Sequence, residues 1–355
     1  MNEKIRNEKN VEKLIEAGII LPLAGEKSVF WDSGGVMLLE NLKKQLRRLY
    51  HSLNMRELVF PSVFDRKYFP DSIINEEYVI GTEEGGEMLT PFSETVYLYL
   101  LDSLRKKGIN FDSYRRVFCW TKGFIKEKTP DLSYNSSEIL RYECFFAEEE
   151  KNAAAAWNKY NEAFKEFIHN VLMIQPIEGD CQGIRSFPKA ERTYSLGLKT
   201  DDDLYRTIFV SHILKKEFIS DVGLLEGEQV SLLSSCFSQK AVFSVLLHHR
   251  DKHGIRIPSS IAPVRGIIIS DSYNADDDSV KTFGTDMKEE IEEIIIRECA
   301  VWGIVHCESC CRVVERNGFA ESEFDSITEA LEHAHRYEKE FDMQLLRDSE
   351  EKNRL

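Results

Sequence analysis

Three short stretches carry side chains whose types and spacing could do chemistry. The step Ser211-His212 sits in "TIFVSHILKKEF", residues 207–218, at the end of a β-branched run. A serine and a histidine there either line a pocket or end a strand, and the pair alone leaves both readings open. In "MLTPFSETVYLYL", Glu94 offers a carboxylate of the kind that pairs with an ammonium group. The plainer reading has Thr90 or Ser93 capping a helix, with Glu94 in its first turn. In "HCESCC", Cys307 and Cys310 make half of a zinc site. Cys299, His306, His333 or His335 would have to complete it. No second Cys-x-x-Cys exists, so the reading is no metal, with Cys307 and Cys310 as weak candidates and free thiols favoured. The Walker loop, G-x-G-x-x-G, H-E-x-x-H and G-x-S-x-G are all absent.

The elements that must position these residues follow from periodicity. Residues 2–17 read as a helix, with Ile5, Val11, Leu14 and Ile15 near one face. A second helix, capped by Asp32 or Ser33, carries Met37, Leu38, Leu42, Leu46 and Leu49 at helical spacing. "ELVFPSVFD" is a short strand run ended by Pro61. A helix follows "TPFS" and is closed by Gly108. "YRRVFCWTKGF" and "EILRYECFFAEEE" read as two strands around a polar loop, residues 128–137, before the Ala-rich helix "KNAAAAWNKYNEAFKEFIHNVL". More short strands and one helix lead to the segment Ile257 to Pro263, where the character changes to a β-α-β-α order. The expected fold is α+β: an antiparallel sheet flanked by helices over 1–262, then a small α/β domain over 263–355. The final "DSEEKNRL" reads as frayed.

Composition narrows the function classes. The chain has 355 residues, 42% of them apolar, enough to bury a sizeable core. No apolar run is long enough for a membrane span, and the charged start does not read as a leader peptide. Eight cysteines then read as reduced thiols of a cytoplasmic protein. A formal net charge of -15 argues against strong non-specific nucleic-acid binding.

Taken in order, several blocks resemble the catalytic core of class II aminoacyl-tRNA synthetases, and prolyl-tRNA synthetase most closely. "LIEAGIILPLAGEKSVFWDSGGVMLLENLKKQLRRLYHSLNMRELVFPSVFDRKYF" looks like the family's opening helix and strand, with Pro61 at the proline position. "TPFSE" resembles P-T-x-E, with Pro91 and Glu94 matching and Phe92 where threonine is usual. "CWTKGFIKEKTPDLSYNSSEILRYECFFAEEE" resembles motif 2, where Glu127, Arg141 and Phe145 match. Ile125 holds the place of the F-R-x-E arginine, leaving Lys122 or Lys126 to supply charge, and Glu143 replaces a second loop arginine. "VSHILKKEF" resembles T-S-H-x-L-x-x-x-F at Ser211, His212, Leu214 and Phe218. "HHRDKHGIRIPSSIAP" resembles the exit from motif 3, whose arginine falls on Gln239 or Lys240.

The resemblance covers about residues 10–270. It implies a homodimer that uses ATP and Mg²⁺ to activate an amino acid, proline or a similar one, for transfer to tRNA or another acceptor. Arg141 and Lys240 would be catalytic; Glu127, Arg141, Phe145 and Lys240 would hold the nucleotide; Glu94, Ser211 and His212 would bind the amino acid. The alternative is a non-catalytic paralogue, an amino-acid sensor or accessory dimer. The replaced arginines and the acidic helix "DMKEEIEEIIIRE" both weigh towards it.

Overall fold

The structure is a computed structural model. It describes residues 3–21, 30–69, 86–124, 138–180, 189–200, 205–223, 225, 229–307 and 309–354.

The chain opens with α1 (Glu3–Glu16) and α2 (Ser33–Ser52), then the short strands β1 (Arg56–Leu58), β2 (Val63–Asp65) and β3 (Glu87–Leu89). After α3 (Ser93–Lys106) come β4 (Arg116–Phe124), β5 (Glu138–Glu149) and α4 (Glu150–Val171). Then follow β6 (Ile177–Asp180), β7 (Ala190–Lys199), β8 (Tyr205–Leu214), α5 (Lys216–Val222), β9 (Val230–Ser238) and α6 (Gln239–His248). Seven of these strands form one sheet, in the order β1-β4-β5-β9-β8-β7-β6. Its pairs are antiparallel except β1 with β4.

Each face of the sheet has its own core. One packs on α2, α4 and α6, whose Leu38, Leu42, Leu46, Trp157, Phe164 and Phe243 recur at helical spacing. Each such side chain contributes about 1.5–3 kcal/mol on burial. The start of α2 comes very close to the chain at Ile19: a Cβ on Gly35 would lie 2.1 Å from the Ile19 carbonyl oxygen, so only glycine fits. The other face packs on α3 through Val96, Tyr97, Leu98 and Leu101, with Phe145 and Leu232 from the sheet.

A second sheet follows: β10 (Gly266–Ile269), β11 (Val280–Phe283), β12 (Trp302–His306), β13 (Cys311–Glu315) and β14 (Glu321–Phe324) in the order β11-β10-β12-β13-β14. Strand β10 runs parallel to β11 and β12, and the last two pairings are antiparallel. Helices α7 (Ile291–Arg297) and α8 (Ile327–Arg354) cover it. The acidic stretch expected as one helix is a six-residue 3-10 helix, 285–290, before the short α7.

The C-terminal tail is not frayed. Helix α8 runs to Arg354 and lies against the first sheet's elements. Ser349 is 0% exposed and sits 2.9 Å from His248 Nε2, and the Asn353 side chain accepts from the Lys199 N–H. These tertiary hydrogen bonds hold a polar helix end that has little propensity to stay ordered alone.

Candidate functional site

The strand period of two sorts the candidate residues. On β5, Tyr142, Cys144 and Phe146 face the α2/α4 core, whereas Phe145 and Ala147 belong to the α3 side. Arg141 and Glu143 alternate onto that same α3 side. A glycine makes this possible: a Cβ on Gly123, in β4, would fall 2.2 Å from Arg141 Cζ. Arg141 Nη1 donates to the Pro91 carbonyl at 2.9 Å and lies 3.7 Å from Glu143 Oε1. Glu143 is buried, and its Oε2 accepts from Ser93 Oγ at 2.6 Å and from Thr121 Oγ1.

Ser93 therefore does not cap α3. The N-cap is Phe92, which makes no side-chain cap bond, and Thr90 Oγ1 donates to the Pro61 carbonyl. Glu94, in the first turn of α3, is half-buried. Desolvation first, and the nearby Glu143 charge second, push its carboxyl up to about 7. Its own backbone N–H, Arg141 and Ser234 act in the opposite sense.

His212 is paired across the sheet with Thr193 on β7 and Ser234 on β9. Its Nδ1 lies 2.9 Å from Thr193 Oγ1. Burial lowers its pKa to about 4, so the ring is neutral at pH 7. Ser234 is buried and lies against Glu94 closely enough to influence its ionisation. Glu94, Ser234, His212 and Thr193 thus make a patch with one ionisable carboxyl among neutral polar groups. Such a patch suits an ammonium group, which the ionised Glu94 attracts and the neutral imidazole does not repel.

Several expected residues fall elsewhere. Ser211 points to the opposite face: it is 0% exposed, pairs with Ser235 across β9, and donates to Asn161 Oδ1 of α4 at 2.6 Å. Strand alternation separates it from His212. Phe145 is 0% exposed and stacks on Phe60 at 5.7 Å and Tyr97 at 5.3 Å. That packing leaves no open ring surface for a nucleobase. Lys240 is half-buried in the first turn of α6. Its neighbour Gln239 is 2% exposed, and its Oε1 accepts the Leu140 N–H at 3.1 Å. Glu127, Ile125 and Lys126 lie outside the described residues.

Cys307 is exposed and Cys310 half-exposed, at the end of the β12–β13 hairpin. Among the described residues no group of three or more His, Cys, Asp or Glu side chains is placed to hold a metal. A cavity of about 980 Å³ opens away from the Glu94 patch, between α2 and the second sheet, lined by Lys44, Arg48, Arg265 and Asp277 among others.

Sequence reasoning named Glu94, Arg141 and His212 but missed the groups that hold them. Thr121, Thr193 and Ser234 carry no local signal, and pairing across strands brings them in. Ser93 carries only the signal of a helix cap, and the packing of α3 on the sheet brings it to Glu143. Glu143 was legible only as a missing arginine, although its spacing of two from Arg141 already placed both on one strand face.

Comparison with known proteins gives a consistent picture. No family model matches the chain. The proline–tRNA ligase of Malacoplasma penetrans is 22% identical over 319 residues, covering 79% of this chain and 64% of the relative. That of Deinococcus radiodurans is 24% identical over 258 residues, covering 66% of this chain and 50% of the relative. The chain thus spans between half and two-thirds of the length of these curated relatives. Among solved structures, the prolyl-tRNA synthetase of Cryptosporidium parvum, complexed with halofuginone and AMPPNP, superposes with a TM-score of 0.79. It is 16% identical, with 98% of this chain and 80% of that one covered. The Giardia lamblia enzyme, in complex with prolyl-adenylate, gives a TM-score of 0.81 at 14% identity, covering 97% and 82%.

The fold is thus that of a class II aminoacyl-tRNA synthetase core. The chain is similar to proline–tRNA ligases in sequence and to prolyl-tRNA synthetases in structure.

Proposed function

We propose that this chain is a non-catalytic synthetase paralogue that binds proline or a similar amino acid and does not activate it. One observation carries the reading: the buried Glu143, which by the resemblance stands for a motif 2 arginine, faces Arg141 at 3.7 Å. Adenylate formation needs fixed positive charge on the α-phosphate, and losing one such donor costs on the order of 100- to 1000-fold in rate. Here a carboxylate partners the arginine that is retained. Gln239, one of the two positions that stand for the motif 3 arginine, uses its Oε1 on backbone and brings no charge; Lys240 is the other. Phe145 has no ring face to offer adenine. These residues fit ATP and Mg²⁺ poorly.

The amino-acid side is better furnished. Glu94 would take the ligand's ammonium group, with His212, fixed by Thr193, beside it. A dimer is part of the reading: Val36 and Met37 on α2, and Val59 at 84% exposure, are apolar groups left uncovered in the single chain. The acidic second module makes tRNA a poor partner. No described helix is long and apolar enough to cross a membrane.

The second reading is ATP-dependent activation of an amino acid for transfer to tRNA or another acceptor. It is favoured by Arg141 lying at the site and by Lys240 in the first turn of α6. It also draws support from the Cryptosporidium and Giardia enzymes, whose complexes hold AMPPNP and prolyl-adenylate. Pyrophosphate exchange with a panel of amino acids decides between the two. The first reading expects no exchange, with a thermal midpoint raised by an amino acid and not by ATP–Mg²⁺. Exchange with any amino acid would overturn it.

A further inference from the structure

The hairpin joining β12 to β13 carries thiols that the synthetase-like site does not use. Strand pairing runs to His306 opposite Cys311. One step further out, the Cys307 N–H donates to the Cys310 carbonyl at 2.9 Å. Cys307 and Cys310 are therefore the next opposed pair beyond His306 and Cys311. Residues so related have Cα atoms within about 7 Å, and about 5.5 Å when they form a hydrogen-bonded antiparallel pair. A disulfide spans Cα separations of about 4.4–6.8 Å. Side chains directly opposite one another in a ladder project to the same side of it, so the two sulfurs share a face.

The surroundings differ for the three cysteines of this tip. Cys311 points the other way and is buried in the core of the second sheet, among Ile304, Val313 and Phe324. Burial pushes its thiol up, and the sulfurs of Cys310 and Cys307 add to the effect. It is inert but close. Cys307 is exposed and Cys310 partly so, which is where a thiolate can meet a soluble partner. Zinc takes four ligands, and among the described residues no third His, Cys, Asp or Glu is placed to join the two thiols. The imidazole of His306 is engaged at Nδ1 with Ser270 Oγ, 2.9 Å away.

We propose that Cys307 and Cys310 form a reversible dithiol–disulfide site that reacts by thiol–disulfide exchange with low-molecular-weight disulfides. The exposed Cys307 thiolate attacks one sulfur of the small disulfide, forming a mixed disulfide and releasing one small thiolate. The Cys310 thiolate then attacks the Cys307 sulfur, closes the protein disulfide and releases the second. The protein dithiol loses two electrons and two protons, and the small disulfide becomes two thiols. Cys310 is the resolving group because the turn already holds it opposite Cys307. Cys311, on the inner face, takes no part.

The test uses the full chain, reduced, desalted and then incubated with glutathione disulfide at pH 8. Intact mass spectrometry and non-reducing peptide mapping read the products. The expected product is about 2 Da lighter, with one intramolecular bond between Cys307 and Cys310, and dithiothreitol reverses it. The Cys310→Ser variant should instead stop at a stable glutathione adduct on Cys307. The substitution lies at the surface end of the hairpin, and a thermal melt of the variant confirms folding. Separate adducts on both thiols of the wild-type chain, a bond involving Cys311, or no reaction at Cys307 would each overturn the proposal.

Discussion

The two ends of the α3-side face of the first sheet are built on opposite principles. At the β7–β8–β9 end, Thr193, His212 and Ser234 are neutral and small or half-buried, and a single carboxyl, Glu94, carries the charge. At the β4–β5 end, charge is already matched within the protein: Glu143 takes Ser93, Thr121 and Arg141, and Arg141 takes the Pro91 carbonyl. The first region keeps a group whose charge a ligand can satisfy. The second has satisfied its own. The contrast lies in where charge is settled: a buried charge must be paired by something, and at the β4–β5 end protein groups do it.

The largest expected effect comes from breaking the closed end. Glu143→Leu leaves Arg141 buried without its carboxylate and strands two hydroxyl donors. The expected loss is about 3–5 kcal/mol in urea-induced unfolding. A loss under about 1 kcal/mol would show that Glu143 is not the counter-charge holding that end together.

Next is Glu94, the open end's charge. Its folded pKa of about 7 lies above the ordinary carboxylate value, because burial and Glu143 disfavour the ionised form. The fold therefore binds a proton more tightly than the unfolded chain does. The contribution of Glu94 to stability is fully present below the unfolded pKa and is lost as pH rises from about 4.5 to 7, by about 3 kcal/mol at most. Denaturation midpoints across that window should show the slope, and Glu94→Gln should flatten it. With the same variant, the midpoint shift given by proline at pH 8 should vanish; a shift that survives would remove Glu94 from the ligand site.

A smaller effect tests the glycine that lets Arg141 lie across β4. Gly123→Ala places a methyl where the guanidinium now sits, for a loss of about 1–3 kcal/mol read by thermal melting. The smallest separates the two faces of β8. Ser211→Ala removes the hydrogen bond to Asn161 and should cost about 1 kcal/mol of stability. The proline-induced shift should be unchanged, whereas His212→Ala should reduce it. Equal loss of the shift in both variants would contradict the assignment of the two residues to opposite faces.

Much of this organisation was legible in the chain before any coordinates. The repeats at α2 and α4 and the antiparallel strands before and after the loop that precedes Arg141 follow from local periodicity. Local reading failed where distant groups decide. "DSEEKNRL" looks frayed because it is polar and terminal, yet His248, Gln175 and Lys199 hold it. Ser93 looks like a helix cap because of its place before "ETV", yet its hydroxyl is taken by Glu143, fifty residues on.

What the sequence determined by itself is the set of elements and the order of the synthetase-like blocks, since both are written in neighbouring residues. By the resemblance it also set Ile125, Glu143 and either Gln239 or Lys240 where arginines are expected on phosphate. Only the tertiary structure decided what those replacements do, and which of Ser211 and His212 faces Glu94. A strand turns alternate side chains to opposite faces, and the helix that covers each face comes from a distant part of the chain. The adjacent pair "SH" is split between two cores, while Glu94, Glu143 and Ser234, far apart in sequence, share one.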